Sequence, residues 1–146
     1  MKVRELMTGD PATVDSNATL GEVATLMKQQ DCGSIPVVDG GRLVGIVTDR
    51  DIVVRAVAAG KDPKTLRVTE VMSADPITVG PDEDVKRAEK VMADRQIRRL
   101  PVVENGSLVG ILVTAQIARS ENESTTGKTL KEISAPASGK GSHARG

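Results

Sequence analysis

The chain has 146 residues, enough for one compact domain or two small ones sharing a core, and its 20 basic and 20 acidic residues balance, so no overall field draws it to nucleic acid or anionic lipid. The complete lack of Phe, Tyr and Trp removes base stacking on aromatic rings and aromatic cages from the functions open to it. One cysteine, Cys32, permits no internal disulfide, and one histidine, His143, lies in a Ser/Gly-rich tail, which leaves thiolate or imidazole metal sites and Ser-His or Cys-His catalysis without their usual parts.

In chain order, "PATV" (Pro11–Val14) reads as a short strand after an Asp-Pro turn, and Thr19 with Glu22 makes a capping box that opens a helix. Leu20, Val23, Ala24 and Met27 form its apolar stripe. "SIPVVD" (Ser34–Asp39), a Gly-Gly turn and "RLVGIV" (Arg42–Val47) predict a hairpin. A second helix runs from Asp49 toward Ala59 with Ile52, Val53, Ala56 and Val57 as its inner face.

The chain then starts again. Met7 matches Met72, Thr13-Val14 matches Thr78-Val79, Pro36-Val37-Val38 matches Pro101-Val102-Val103 and Leu43-Val44-Gly45-Ile46 matches Leu108-Val109-Gly110-Ile111, each pair 65 positions apart. A gapless match over about fifty residues marks two copies of one unit. The second hairpin turns at Asn105-Gly106, the strongest short hairpin signal. The expected organisation is a first unit over 1–62, a second over 63–120, and a polar, disordered tail over 121–146 in which only "TLKEI" hints at a helix. Each unit orders its elements strand, helix, strand, strand, helix. The fold class is therefore α/β of the α+β kind, two pseudo-symmetric units packed sheet to sheet over one core that neither would form alone. Pro36 and Pro101 fall inside strands, where a missing donor is tolerated only at an edge or a bulge. The longest apolar runs, such as Leu43 to Thr48, fall far short of the ~20 residues of a membrane span, and no signal-like apolar region opens the chain, so a cytoplasmic location is expected.

"MTGDPATV" and "MSADPITV" at the unit starts, "SIPVVDGGRLVGIVTDRDI" in the first unit and "RRLPVVENGSLVGIL" in the second resemble a tandem pair of cystathionine beta-synthase (CBS) domains, the Bateman module, of the free-standing bacterial type. The resemblance covers Val3 to about Arg119. It implies a module that binds AMP, ADP, ATP or S-adenosylmethionine in clefts between the units, regulates a partner protein and often pairs into dimers. The family's glycine, two apolar residues, Thr or Ser, two variable residues and Asp fall on Gly45-Ile46-Val47-Thr48-Asp49-Arg50-Asp51. By that resemblance Asp51 accepts both ribose hydroxyls and Thr48 meets the phosphate or ribose.

Elementary chemistry allows this: residues three apart at a helix start share a face, a carboxylate taking two hydroxyl donors selects a vicinal diol, and a helix N-terminus suits a phosphate. The competing reading makes Thr48 and Asp51 a helix cap worth about 1 kcal/mol. In the second unit the equivalents are Val113, Thr114, Ala115 and Gln116, yet the helical pattern persists, with Thr114 available as a cap. The fold does not require the cluster, and one good site per chain is expected. Arg98 and Arg99 stand where the first unit has Gly33 and Ser34; in kinase gamma subunits that resemble this family, basic residues here reach phosphates, the alternative being two solvated arginines. With no aromatic ring, adenine has to lie between aliphatic groups, its edge read by backbone near Thr13 and Ile35, while Ile35 and Pro36 are equally core candidates.

The function expected is a non-enzymatic regulatory sensor with no obligatory cofactor and no metal. An enzyme is disfavoured, because Asp49 and Asp51 lack an evident nucleophile, base partner or ligand set. The rival is a stress-related dimeric interaction protein without nucleotide binding. Outer apolar residues such as Val54 and Val91 exceed what one chain's core needs, which predicts a homodimer.

Overall fold

The computed structural model describes residues 1–125. The chain divides into two compact units, and neither is a continuous piece of sequence. Among the described residues, one comprises Ala12–Pro76 with Gly106–Leu108; the other comprises Met1–Pro11, Ile77–Asn105 and the chain from Val109 to Thr125. Residues that open each repeat in sequence thus pack within the unit built by the other repeat. The boundary expected at 62/63 and the units of the fold are different divisions of the chain.

The first unit contains strand β2 (Val14–Asp15), helix α1 (Leu20–Gln30), strands β3 (Ser34–Asp39) and β4 (Arg42–Thr48), helix α2 (Asp49–Ile52) and strand β5 (Ser73–Ala74). β2 runs parallel to β3, and β4 lies antiparallel to both β3 and β5. The second contains strand β1 (Thr8–Gly9), helix α3 (Val85–Arg95), strands β6 (Arg99–Glu104) and β7 (Ser107–Val113), and helix α4 (Thr114–Thr125). Here β7 pairs with β6 and with β1, and the counterpart of β2 shrinks to one parallel bridge, Val79 to Val102.

Local chemistry explains these elements. Gly40 and Gly41 turn the first hairpin with φ of 60° and 83°, and Asn105 and Gly106 turn the second with 54° and 84°. Positive φ at both central residues is the turn whose twist matches the strands. Thr19 Oγ1 accepts from Glu22 N–H at 3.3 Å, but Glu22 returns the bond to the Thr19 hydroxyl rather than to the backbone. Pro36 meets its constraint: β2 pairs with β3 only from Val37 onward, and the register shifts between Val37 and Val38.

The buried residues form two separate clusters rather than the single shared core expected. Leu20, Val23, Ile35, Val37 and Val47 centre one; Val3, Met92, Leu100, Val102 and Leu112 centre the other. On α1, Leu20, Val23 and Met27 are buried as expected, whereas Ala24 is exposed and Leu26 packs against the core instead. After α2 the helix widens into a π turn, Val53–Val57, closed by Ala58 N–H to Val53 O and followed by Lys61 N–H to Ala56 O. The wider turn rotates the side chains, so only Ala56 of the expected inner face is buried, Ile52 is half-buried, and Val53 and Val57 are 56% and 62% exposed. The segment from Glu121 to Thr125, read as tail, continues α4. "TLKEI" and His143 lie outside the described residues.

Gly45 and Gly110 are where each lead-in segment meets its host sheet. A Cβ on Gly45 would stand 2.9 Å from Ser73 O, and one on Gly110 would stand 2.9 Å from Thr8 O. Only glycine lets the neighbouring backbone come this close.

Candidate functional site

The expected cluster sits where β4 ends and α2 begins. Thr48 is the N-cap residue: its Oγ1 accepts from Asp51 N–H at 3.0 Å, and Asp51 Oδ2 accepts from Thr48 N–H at 2.9 Å. Both halves of a capping box are present, so the competing reading of these residues is realised. Asp49 caps itself locally, with Oδ1 accepting from Arg50 N–H at 2.8 Å, while its own N–H donates to Gly33 O. Arg50 points outward and is exposed.

Capping does not exhaust these groups. A carboxylate offers about four lone-pair positions and the box uses one, and the Thr48 hydroxyl, an acceptor in the cap, keeps its own proton to donate. The cap holds both side chains in fixed rotamers, and only 16% of the Asp51 side chain is exposed. The pair is an acceptor and a donor whose side chains the cap already orders.

Arg55, one helical turn beyond Asp51, was not singled out by sequence. Its Nε lies 4.0 Å from Asp51 Oδ1, and its Nη1 donates to Val71 O at 2.9 Å and Met72 O at 3.4 Å. The i, i+4 spacing from an aspartate was the available signal.

The second repeat assembles the corresponding place differently. Gln116 Oε1 accepts from Val113 N–H at 3.2 Å, and Gln116 Nε2 donates to Thr8 Oγ1 at 2.7 Å. Thr114, which the sequence makes available as a cap, is the first residue of α4, and its N–H donates to Arg98 O. Gln116 replaces half of the cap, because an amide oxygen can accept as a carboxylate does.

Of the remaining expected residues, Ile35 and Pro36 are buried in β3, paired with Val47 and Ile46, and Ile35 is a core residue. Thr13 is half-buried and lines an open groove of about 870 Å³ with Asp15, Thr19, Glu22, Thr25 and Lys64; Thr48 and Asp51 are not among that groove's walls. Arg98 and Arg99 belong to the other compact unit, where Arg99 opens β6. Arg98 is exposed, and Arg99 is half-buried with its Nε out of solvent and lacking a hydrogen-bond partner, a state that favours an anion or a water beside it. Cys32 is a half-buried free thiol packed against the core.

The doubled unit and the motif at the β4-to-α2 junction agree with the protein-family comparison. The CBS domain model matches residues 3–57 and again 68–122, so the chain belongs to the CBS-domain family as a tandem pair. It is 45% identical over 134 residues to the CBS domain-containing protein YhcV of Bacillus subtilis, covering 90% of this chain and 94% of that one. Among solved structures it resembles Hypoxic Response Protein I with two coordinated zinc ions, at 36% identity and TM-score 0.76, covering 82% of this chain and 98% of that one. It also resembles the CBS domain pair of protein MJ0100 in complex with 5-methylthioadenosine and S-adenosyl-L-methionine, at 30% identity and TM-score 0.74, covering 85% and 98%. Among the described residues, no group of three or more His, Cys, Asp or Glu side chains is placed to hold a metal. Nor is any helix among them long and apolar enough to cross a membrane.

Proposed function

We propose that this chain is a non-enzymatic regulatory module that binds an adenosine-containing ligand, AMP, ADP, ATP or S-adenosylmethionine, and acts as a cytoplasmic homodimer on a partner protein. The observation that carries this reading is the Thr48–Asp51 pair, a carboxylate and a hydroxyl held ready at a helix start in one repeat and replaced by Val113 and Gln116 in the other. Asp51 takes the ribose diol and Thr48 donates to ribose or phosphate, with Asp49, Arg50 and the backbone near Thr13, Ile35 and Pro36 as neighbouring contacts and Arg98 or Arg99 as phosphate partners. The adenosine derivatives bound by the MJ0100 domain pair support the ligand class.

A thermal-shift series with the four ligands tests the proposal, since a ligand at 100 times its dissociation constant adds ~2.7 kcal/mol of stability. One observation favours a second reading, a dimeric interaction protein without nucleotide binding: Val53, Val54 and Val57 are at least half exposed on one short helical stretch. No shift with any ligand, together with a dimer mass by light scattering, selects that reading.

A further inference from the structure

We propose that Arg55 is a ligand-sensitive latch, joining the Asp51 carboxylate to the segment that opens the second repeat. The inference rests on the reading of Asp51 as a diol acceptor and extends it to how binding is transmitted.

The guanidinium is shared between two places in one unit. Nε lies 4.0 Å from Asp51 Oδ1, while Nη1 donates to the carbonyls of Val71 and Met72. Those carbonyls end the 3-10 turn Val68–Glu70 and lead directly into β5, whose Ser73 and Ala74 pair with Ile46 and Gly45. After Pro76 the chain passes to the other unit. A cation held between a carboxylate and two carbonyls stays in place only while the carboxylate remains available to it. Oδ2 already accepts from Thr48 N–H, so hydroxyl donors arriving at Asp51 draw on Oδ1 as well as the lone pair left on Oδ2, and weaken the carboxylate's pull on the guanidinium. Arg55, whose side chain is half exposed, is then released from Val71 and Met72.

The other unit shows the same join built without a latch. Gln116 reaches Thr8 of the lead-in segment directly, at 2.7 Å, with a neutral amide. The residue in Arg55's place is Ser120, which is too short to make such a bridge. One unit therefore has a charged, displaceable join and the other a fixed one.

Hydrogen exchange on the full chain tests this, with AMP and S-adenosylmethionine as probes and calorimetry run in parallel. Saturating probe is expected to speed exchange of the Val71–Ala74 amides by about three- to tenfold, the loss of one partly screened charge-assisted bond, while amides of Met7–Gly9 stay unchanged. Arg55→Ala is expected to exchange fast at Val71–Ala74 without probe, to respond no further, and to bind the probe about three- to tenfold more tightly, since the competitor for Asp51 is gone. Arg55→Lys, which retains the charge but not the fork, gives an intermediate response, and circular dichroism verifies that both variants fold. A probe that binds wild type without changing these amides, or an Arg55→Ala variant that keeps the full response, overturns the latch while the binding reading stands. No binding heat with either probe overturns both.

Discussion

The two helix starts of this molecule, Thr48–Asp51 and Val113–Gln116, occupy matching positions and both open a helical stretch, but they are stabilised by different chemistry. In one, hydroxyl and carboxylate exchange bonds with two backbone N–H groups; in the other, a single amide oxygen takes one N–H and its nitrogen ties down Thr8. A helix start needs only a partner for its orphan donors, and an amide suffices. The charge on Asp51 is more than a helix start needs, which is what motivates the proposed ligand role.

The comparison predicts equal losses where the repeats share a structural duty and unequal ones where they do not. The largest expected effect is symmetric: Ile35→Ala and Leu100→Ala, both 1% exposed or less, each cost about 2–5 kcal/mol in denaturant unfolding. Asymmetry appears next, in ligand calorimetry. Asp51→Ala lowers affinity for the adenosine ligand roughly tenfold to a hundredfold, whereas Gln116→Ala leaves it within about twofold. Equal losses from the two variants, or two equal sites per chain in wild type, break the comparison. Gly45→Ala and Gly110→Ala return to symmetry at about 1–3 kcal/mol each, because the new methyl group overpacks against Met72 and Ser73 in one case and Met7 and Thr8 in the other. Giving the second helix the missing hydroxyl, Val113→Thr, is expected to raise stability by ~0.5–1 kcal/mol without creating a ligand site.

The smallest effect separates the units by pH. Arg4 hydrogen-bonds and pairs with Asp82, holding that carboxyl below its ordinary 3.8, while in the other unit Arg67 ties to the carbonyl of Asn17, which does not titrate in this range. A depressed carboxylate lends stability that is full above the unfolded value and fades as pH falls through the folded one. Asp82→Asn should flatten the acid limb of thermal unfolding slightly and leave neutral-pH ligand binding untouched.

Much of the fold was legible in sequence because it is local. Periodicity located α1, the turn residues located both hairpins, and the offset of 65 established the repeat. What stayed hidden depends on events without a periodic signature. Nothing in "VVRAV" announces a π turn, so Val53 and Val57 were assigned inward. The exchange of lead-in segments is non-local: Met7 looks like the start of one repeat and packs on Gly110 of the other. At the candidate site, the spacing from Thr48 to Asp51 was readable, but Arg55 and Gln116 owe their roles to partners at Val71 and Thr8 that no window of neighbouring residues contains.

The placement of Met1–Pro11 also sets an order of assembly during synthesis. These residues are synthesised well before their partners, which are Val85 for Met1, Glu83 for Val3, and Gly110 and Ile111 for β1. The span Ala12–Pro76 has its own core and closes earlier, while the leading arm waits for roughly a hundred further residues, on the order of 5–20 s at ordinary elongation rates. Throughout that interval, neighbouring chains on the same message present matching acceptor strands. Slowing elongation late in the second repeat should therefore raise the yield of arm-exchanged oligomers, and initiating many ribosomes per message should do the same.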